Sequence, residues 1–290
     1  MQAMTLSDVK EETPMTTMNP SSWVGRTEEC TDSVDLGHIE KVALSLNSAA
    51  PALGSELPLL WHWTLFIKGV PYDQIGDDGH PQRGGFLPTA DNRNRMWAGG
   101  RLEFVQPLRV GTPGKRVSTI AAVNEKDGRT GKLLFVTVKH EYSQEGALCI
   151  SEEQDIVYRE PSPPKLEGSI AALKGEWSET TVPSTVMLFR YSAVTFNGHR
   201  IHYDEPYVTK AEGYPGLVVH GPMIATLMCR AFVNANPGKK VTSFSYRGLR
   251  PLIAPRPFQT SGVLLGADSA QLWAEQDGTL AHQAELRFTP

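Results

Sequence analysis

Cysteine is scarce in this chain: Cys30, Cys149 and Cys229 are three isolated residues in 290, an odd number without paired short spacings. That excludes a disulfide framework and the common zinc motifs, and it fits a reduced, cytoplasmic compartment. Basic runs are missing too. With 28 Lys and Arg against 32 Asp and Glu, the net charge is −4, so no general field attracts nucleic acid and any anionic ligand must be met by local cations. No stretch approaches the roughly 18 consecutive apolar residues of a helical membrane span. The opening MQAMTLSDVKEETPMTTMNPSS lacks the apolar core of a secretory signal, and residues 1–22 read as a disordered leader.

What is present is a globular composition, 40% apolar and 21% charged, in a chain long enough for two modules. Thr31 to Asn47 has apolar residues at helical spacing, with Leu36, Ile39, Val42, Ala43 and Leu46 on one face. Leu57 to Phe66, LPLLWHWTLF, is a second apolar block that fits a buried helix or a strand, with His62 read as packed core. From Gly69 to Arg95 glycine and proline forbid regular structure. This long loop carries Arg83, Arg93 and Arg95, which could cover a site or touch a phosphate, although solvated arginines are the plainer expectation. Strand signals follow at 101–104, 116–123, 133–142 and 147–159. The proline-rich EPSPPKLEG then reads as a spacer.

Beyond the spacer the pattern recurs. Val105-Gln106-Pro107-Leu108 is matched by Leu249-Arg250-Pro251-Leu252, and Gln144-Glu145-Gly146 by Gln276-Asp277-Gly278, in the same order. The recurrence predicts a duplicated unit, an apolar helix followed by an antiparallel meander in each half. The expected organisation is a degenerate module at 23–160, a linker at 161–168 and a catalytic module at 169–290. Sheet edges would be paired by the other half or by a second copy in a homodimer.

The candidate chemistry lies in Tyr191 to Met223, YSAVTFNGHRIHYDEPYVTKAEGYPGLVVHGPM, which holds three of the eight histidines, His199, His202 and His220. Gly221-Pro222 reads as a helix start before the apolar MIATLMCRAF, because proline suits the first helical turn. The first N–H groups of such a helix have no intrahelical partner, and beside a glycine they suit a developing oxyanion. The three histidines could also be read as metal ligands, but no carboxylate stands in register, so no metal and no cofactor are expected.

On residues Thr195 to Asp204 and Val218 to Pro222, the second half resembles a MaoC-like hydratase/dehydratase module, the hot-dog fold in which a sheet wraps a central helix. With RMWAGGRLEFVQPLRVG, SEEQDIVYRE, FRYSAVTFNGHRIHYDEPY and GYPGLVVHGP included, the chain from Trp23 onward is similar to the double hot-dog mesaconyl-C4-CoA and itaconyl-CoA hydratases. The implied fold is α+β, with two antiparallel sheet-wrapped-helix modules in one chain. The implied activity is hydration of a branched C5 dicarboxylyl-CoA thioester to citramalyl-CoA, a hydro-lyase reaction. A hot-dog thioesterase, a hydroxyacyl-thioester dehydratase of fatty acid synthesis and a non-catalytic acyl-CoA binding module are the alternatives.

The wider family's motif pairs an Asp with a His. Aligning the His on His202 sets Asn197 at the Asp position and His199 at the position of the motif's Asn. An amide cannot take a proton. The expected catalytic residues are therefore His202 as base, Asn197 orienting water and Gly221 N–H holding the enolate oxygen. Candidate substrate-binding residues are Tyr191, His199, Arg200, His220, Arg247 and Arg250, with His199 either a second acid/base group in place of the missing carboxylate or, if protonated, a ligand to a substrate carboxylate. Lys239, Lys240, Arg256, Arg95 and Arg101 are further candidates for the CoA phosphates.

Overall fold

The structure, a computed structural model, describes residues 19–90, 93–128 and 131–290. Most of the expected leader, 1–18, and part of the hairpin at 126–132 lie outside the described residues. Among the described residues ten strands form one sheet: β1 (Thr27–Asp32), β2 (Asn94–Phe104), β3 (Gly114–Gly128), β4 (Gly131–Gln144), β5 (Ala147–Arg159), β6 (Trp177–Thr181), β7 (Lys240–Gly248), β8 (Phe258–Leu264), β9 (Ser269–Gln276) and β10 (Thr279–Thr289). The helices are α1 (Leu36–Leu46), α2 (Thr185–Val194), α3 (Glu205–Lys210) and α4 (Gly221–Ala235).

Strand order is β1-β3-β4-β5-β2-β7-β10-β9-β8-β6, which is the same five-strand sequence read outward from its centre. The two halves meet where β2 pairs antiparallel with β7, from Gly99↔Arg247 to Glu103↔Ser243, so a pseudo-twofold axis passes through the Arg101↔Ser245 pair. One edge of each half is thereby closed within the chain, and β1 and β6 stand at the outer ends.

The repeat extends to single hydrogen bonds. Gln144 accepts from Arg109 N–H at 2.7 Å and donates to the carbonyls of Arg109 and Thr112. Gln276 accepts from Ile253 N–H at 3.0 Å and donates to the carbonyls of Ile253 and Arg256. Each glutamine ends the strand before a two-residue turn in which both residues have positive φ, Glu145-Gly146 at 51° and 78° and Asp277-Gly278 at 54° and 71°, the conformation that joins twisted strands tightly. Each clamps the loop after β2 or β7, because the paired backbone groups would otherwise be buried without partners.

In the second half α4 is apolar almost all round, as a helix wrapped by a sheet must be. Met223, Ile224, Ala225, Leu227, Met228, Cys229, Ala231 and Phe232 are buried, and the helix packs on β6, β8, β9 and β10. Fully burying each large apolar side chain contributes about 1.5–3 kcal/mol. Arg230 marks its polar side, pairing with Glu179 at 3.0 Å.

The first half has no such helix among its described residues. Leu57 N–H donates to Leu108 O as Val219 N–H donates to Leu252 O, and the bridges Glu56↔Arg109 and Val218↔Ile253 match as well. Leu57 therefore stands where Val219 does, and LPLLWHWTLF is the counterpart of the α4 entrance. It forms only a 3₁₀ turn at Trp61–Thr64, neither helix nor strand, after Leu60 with φ 68°. LPLLWHWTLF, expected as a buried helix or a strand, is thus neither, while the helix expected within Thr31 to Asn47 is present as α1 of the first half. Residues 86–90 help to cover its sheet, with Phe86, Leu87 and Ala90 packing against Ile120, Leu134, Val136 and Tyr158.

Candidate active site

The segment between α2 and α4 is irregular because each polar residue bonds to its own neighbourhood. Asn197 Oδ1 accepts from His199 N–H at 3.0 Å, an Asx turn that follows Phe196 at positive φ. Asp204 caps α3 by accepting from Tyr207 N–H at 3.0 Å. The chain then returns through Val218 to the start of α4. There His220 is the N-cap, no side chain among the described residues caps the end, and Pro222 fills the first turn. The leading N–H of Gly221 is left to the cavity that Gly221 lines.

That cavity, about 1630 Å³, is lined from both halves. Asn197, His199, His202, His220 and Gly221 contribute from the second half, and Asp78, His80, Arg95 and Trp97 from the first. Asp78 and His80 come from the glycine-rich loop and had no signal in the sequence beyond the loop's length. Trp97 fixes the glycine at 221, since a Cβ there would lie 2.7 Å from its Cε3. The indole is itself held by stacking on Tyr246 at 4.4 Å and by an edge contact with Trp63.

Four of the eight histidines stand in file: ring centroids are 4.0 Å apart for His80–His199, 5.4 Å for His199–His202 and 3.7 Å for His202–His220. His202 Nδ1 lies 2.7 Å from Val218 O, which requires a proton on Nδ1 and leaves the Nε2 lone pair free. Burial pushes its pKa down to about 4 against the opposing effect of that hydrogen bond, so the ring is a neutral acceptor at pH 7. Burial likewise lowers His220, aided by His202 and His199, and lowers His199, aided by His80 and His202. His220 Nε2 is 2.9 Å from Ser192 Oγ, and Tyr191, fully buried, packs edge-on against it.

The structure separates the other candidates. Arg200 lies outside the cavity lining, paired with Asp204 at 2.8 Å and lying over the Tyr207 ring. Arg247 lies outside it as well. Arg250 reaches the lining, but its guanidinium is already bound to the carbonyls of Leu280, Gln276, Thr279 and Pro251, a pin between β7 and the β9–β10 turn. Among the further cations, Lys239, Lys240, Arg101 and Arg256 also fall outside the lining, and Arg101 pairs with Glu153 and Asp155. Arg93 pairs with Glu125, and Arg83 donates to Ala90 O. Arg95 does line the cavity, where the Tyr158 hydroxyl and the Asp78 carboxylate act on its guanidinium, and it makes no ion pair among the described residues.

The three imidazoles weighed above as alternative metal ligands include His202 and His220, which stack face to face. Ligand atoms of Asp78, His80 and His199 do come within 4.8 Å of one another. The Asp78–His80 hydrogen bond already engages two of these three groups with each other.

Comparison with solved structures defines the fold. A MaoC-like dehydratase superposes with a TM-score of 0.71 at 14% identity, covering 93% of this chain and 99% of the other. A Mycobacterium tuberculosis protein described as a double hot-dog fold gives 0.61 at 11% identity, covering 92% and 96%. The fold is the double hot dog of MaoC-like proteins. Within that class the chain belongs to the hydroxyacyl-thioester dehydratase type 2 family, whose model matches residues 60–254. It is also 44% identical over 243 residues to the mesaconyl-C(4)-CoA hydratase of Chloroflexus aurantiacus, covering 82% of this chain and 86% of that one.

Proposed function

We propose that the protein is a hydratase that adds water across the double bond of a branched C5 dicarboxylyl-CoA thioester, mesaconyl-C4-CoA or itaconyl-CoA, giving citramalyl-CoA. The similarity to the Chloroflexus hydratase along most of both chains carries the reading. The site is chemically suited to it. In mesaconyl-C4-CoA the double bond is conjugated to the thioester, and the β-carbon bears a methyl and a carboxylate. His202 Nε2 takes a proton from water as the oxygen bonds to the β-carbon. The π electrons move to the thioester oxygen, where Gly221 N–H stabilises the enolate. Protonation of the α-carbon restores the carbonyl. Asn197 orients the water or the thioester.

The substrate carboxylate needs a cation, and Arg95 offers one. Its guanidinium is buried beside the Tyr158 hydroxyl and feels the Asp78 carboxylate, which is itself hydrogen-bonded to His80, so a substrate carboxylate would add the direct ion pair it lacks among the described residues. We assign the catalytic centre to the module 169–290 and the wall opposite to the module 23–160, with a homodimer as the assembly in which the outer edges would meet. The test is incubation with mesaconyl-C4-CoA and with a neutral enoyl-CoA of equal length, following loss of the conjugated-thioester absorbance and the product mass. Hydration of the dicarboxylyl substrate is expected. Free thiol without hydrated product would instead identify a thioesterase. Arg95→Met should lower kcat/KM for the dicarboxylyl thioester by about 10²-fold, while the neutral thioester is little affected.

A further inference from the structure

Position 197 carries an amide where the family motif has a carboxylate, so the site is short of one proton-handling group. The cavity has a carboxylate hydrogen-bonded to an imidazole elsewhere. Asp78 Oδ2 lies 3.0 Å from His80 Nδ1, and Asp78 Oδ1 accepts from His80 N–H at 2.9 Å. Both carboxylate oxygens thus face one residue. This fixes the His80 proton on Nδ1 and leaves Nε2 to gain or release another.

The loop carrying the pair is built onto the motif. Gly79, at φ +85°, and Gly198 meet so closely that a Cβ on either would collide with the other's carbonyl. Arg200 N–H donates to Asp78 O at 2.9 Å, and Arg200 Nη1 donates to Asp77 O at 2.9 Å. The His80 ring lies 4.0 Å from that of His199, which in turn meets His202 at 5.4 Å.

We propose that Asp78 and His80 form the acid dyad of the reaction, in which the His80 imidazolium delivers the α-proton and Asp78 is its positioning residue and counter-charge. The inference rests on the hydratase reading. Water gives one proton to His202 Nε2 as its oxygen bonds to the β-carbon. The enolate then takes a proton from His80, and the carbonyl re-forms. The proton on His202 returns to His80 through cavity water, so both groups are restored and the net addition is one water. An imidazolium is more favourable at His80 than at His202: the first forms against a carboxylate, the second against a backbone carbonyl and face to face with His220.

The groups facing His80 are Asp78 and Arg83 from its own loop, Arg95 from β2, and His199 from the motif, with His202 beyond. Burial lowers the His80 pKa, Arg95 and Arg83 lower it further, and Asp78 opposes them. A substrate carboxylate beside Arg95 offsets that guanidinium and favours the charged imidazole.

The test is steady-state hydration by the full chain across pH. His80→Ala should lower kcat by about 10²–10⁴-fold with KM little changed, and added imidazole should restore part of the rate. Asp78→Asn removes the counter-charge, so His80 loses its proton at lower pH and the basic limb of the kcat profile should move down. A purely structural loop would not move that limb. If His80→Ala does not fold, the near-isosteric Asp78→Asn carries the test alone. An unmoved basic limb, a His80→Ala enzyme with near wild-type kcat, or activity lost to a chelator and restored by zinc would each overturn the dyad. Wild-type protein that leaves the double bond untouched would refute the hydratase reading itself, before any variant is made.

Discussion

Lowering the pH should unfold this protein well before its carboxylates titrate, because of the imidazoles buried in neutral form. His140, His202 and His282 are each less than a tenth exposed. Burial pushes each from its ordinary 6.5 down to about 4. An unfolded imidazole takes up its proton as the pH passes 6.5, whereas the folded ones stay neutral until about 4. Their contribution is therefore complete above 6.5 and is lost as the pH falls toward 4. At pH 5 each costs about 2 kcal/mol, at roughly 1.4 kcal/mol per pH unit, and the three together about 6 kcal/mol. Domain stability is itself only about 5–15 kcal/mol. His199 and His220 shift the same way.

The melting temperature, followed by far-UV circular dichroism from pH 7.5 to 5, should drop steeply once below 6.5. His282→Gln, which removes an imidazole whose Nδ1 has no hydrogen-bond partner among the described residues, should take about one proton out of the slope. A melting temperature flat between pH 7 and 5 would refute the neutral burial of these rings.

Two further outcomes are expected. In Gly221→Ala the new Cβ meets Trp97 at 2.7 Å, so kcat should fall about 10²-fold; Trp97→Phe in the same chain should recover part of the loss, and no recovery would separate the glycine from the indole. Gln276→Ala and Gln144→Ala should each cost about 3 kcal/mol by leaving buried backbone groups unpaired, and urea denaturation showing either one neutral would break the equivalence of the two clamps.

Much of the fold can be read in the sequence because repetition leaves local marks. The Gln-acidic-Gly turns, the Pro-Leu pairs after β2 and β7, and the Gly-Pro start of α4 each encode a backbone conformation in two or three adjacent residues. LPLLWHWTLF could not be assigned that way. Its apolar content suits a helix entrance, its hydrogen-bond register against Leu108 places it there, and only the structure shows that it ends after one 3₁₀ turn at Trp61–Thr64. The site divides along the same line. His199, His202, His220 and Gly221 are close in sequence and were selected together. Asp78 and His80 reach them from more than a hundred residues away, through glycine contacts that composition does not reveal. Arg200, Arg247 and Arg250 are legible only as cations in or after the motif, and the first and last are bound up in local pairing and backbone pinning.

The seam between β2 and β7 makes neither half an independent functional unit. Residues 169–290 expressed alone would carry His202 and Gly221 but expose the β7 edge and leave the α4 entrance without Trp97, Arg95 or the 76–82 loop. Cutting the chain in the proline-rich spacer is a milder change, since that segment pairs with no strand. Two fragments produced together could reassemble through the five residue pairs of the seam, which would turn recovery of enzyme activity into a reporter of fragment association.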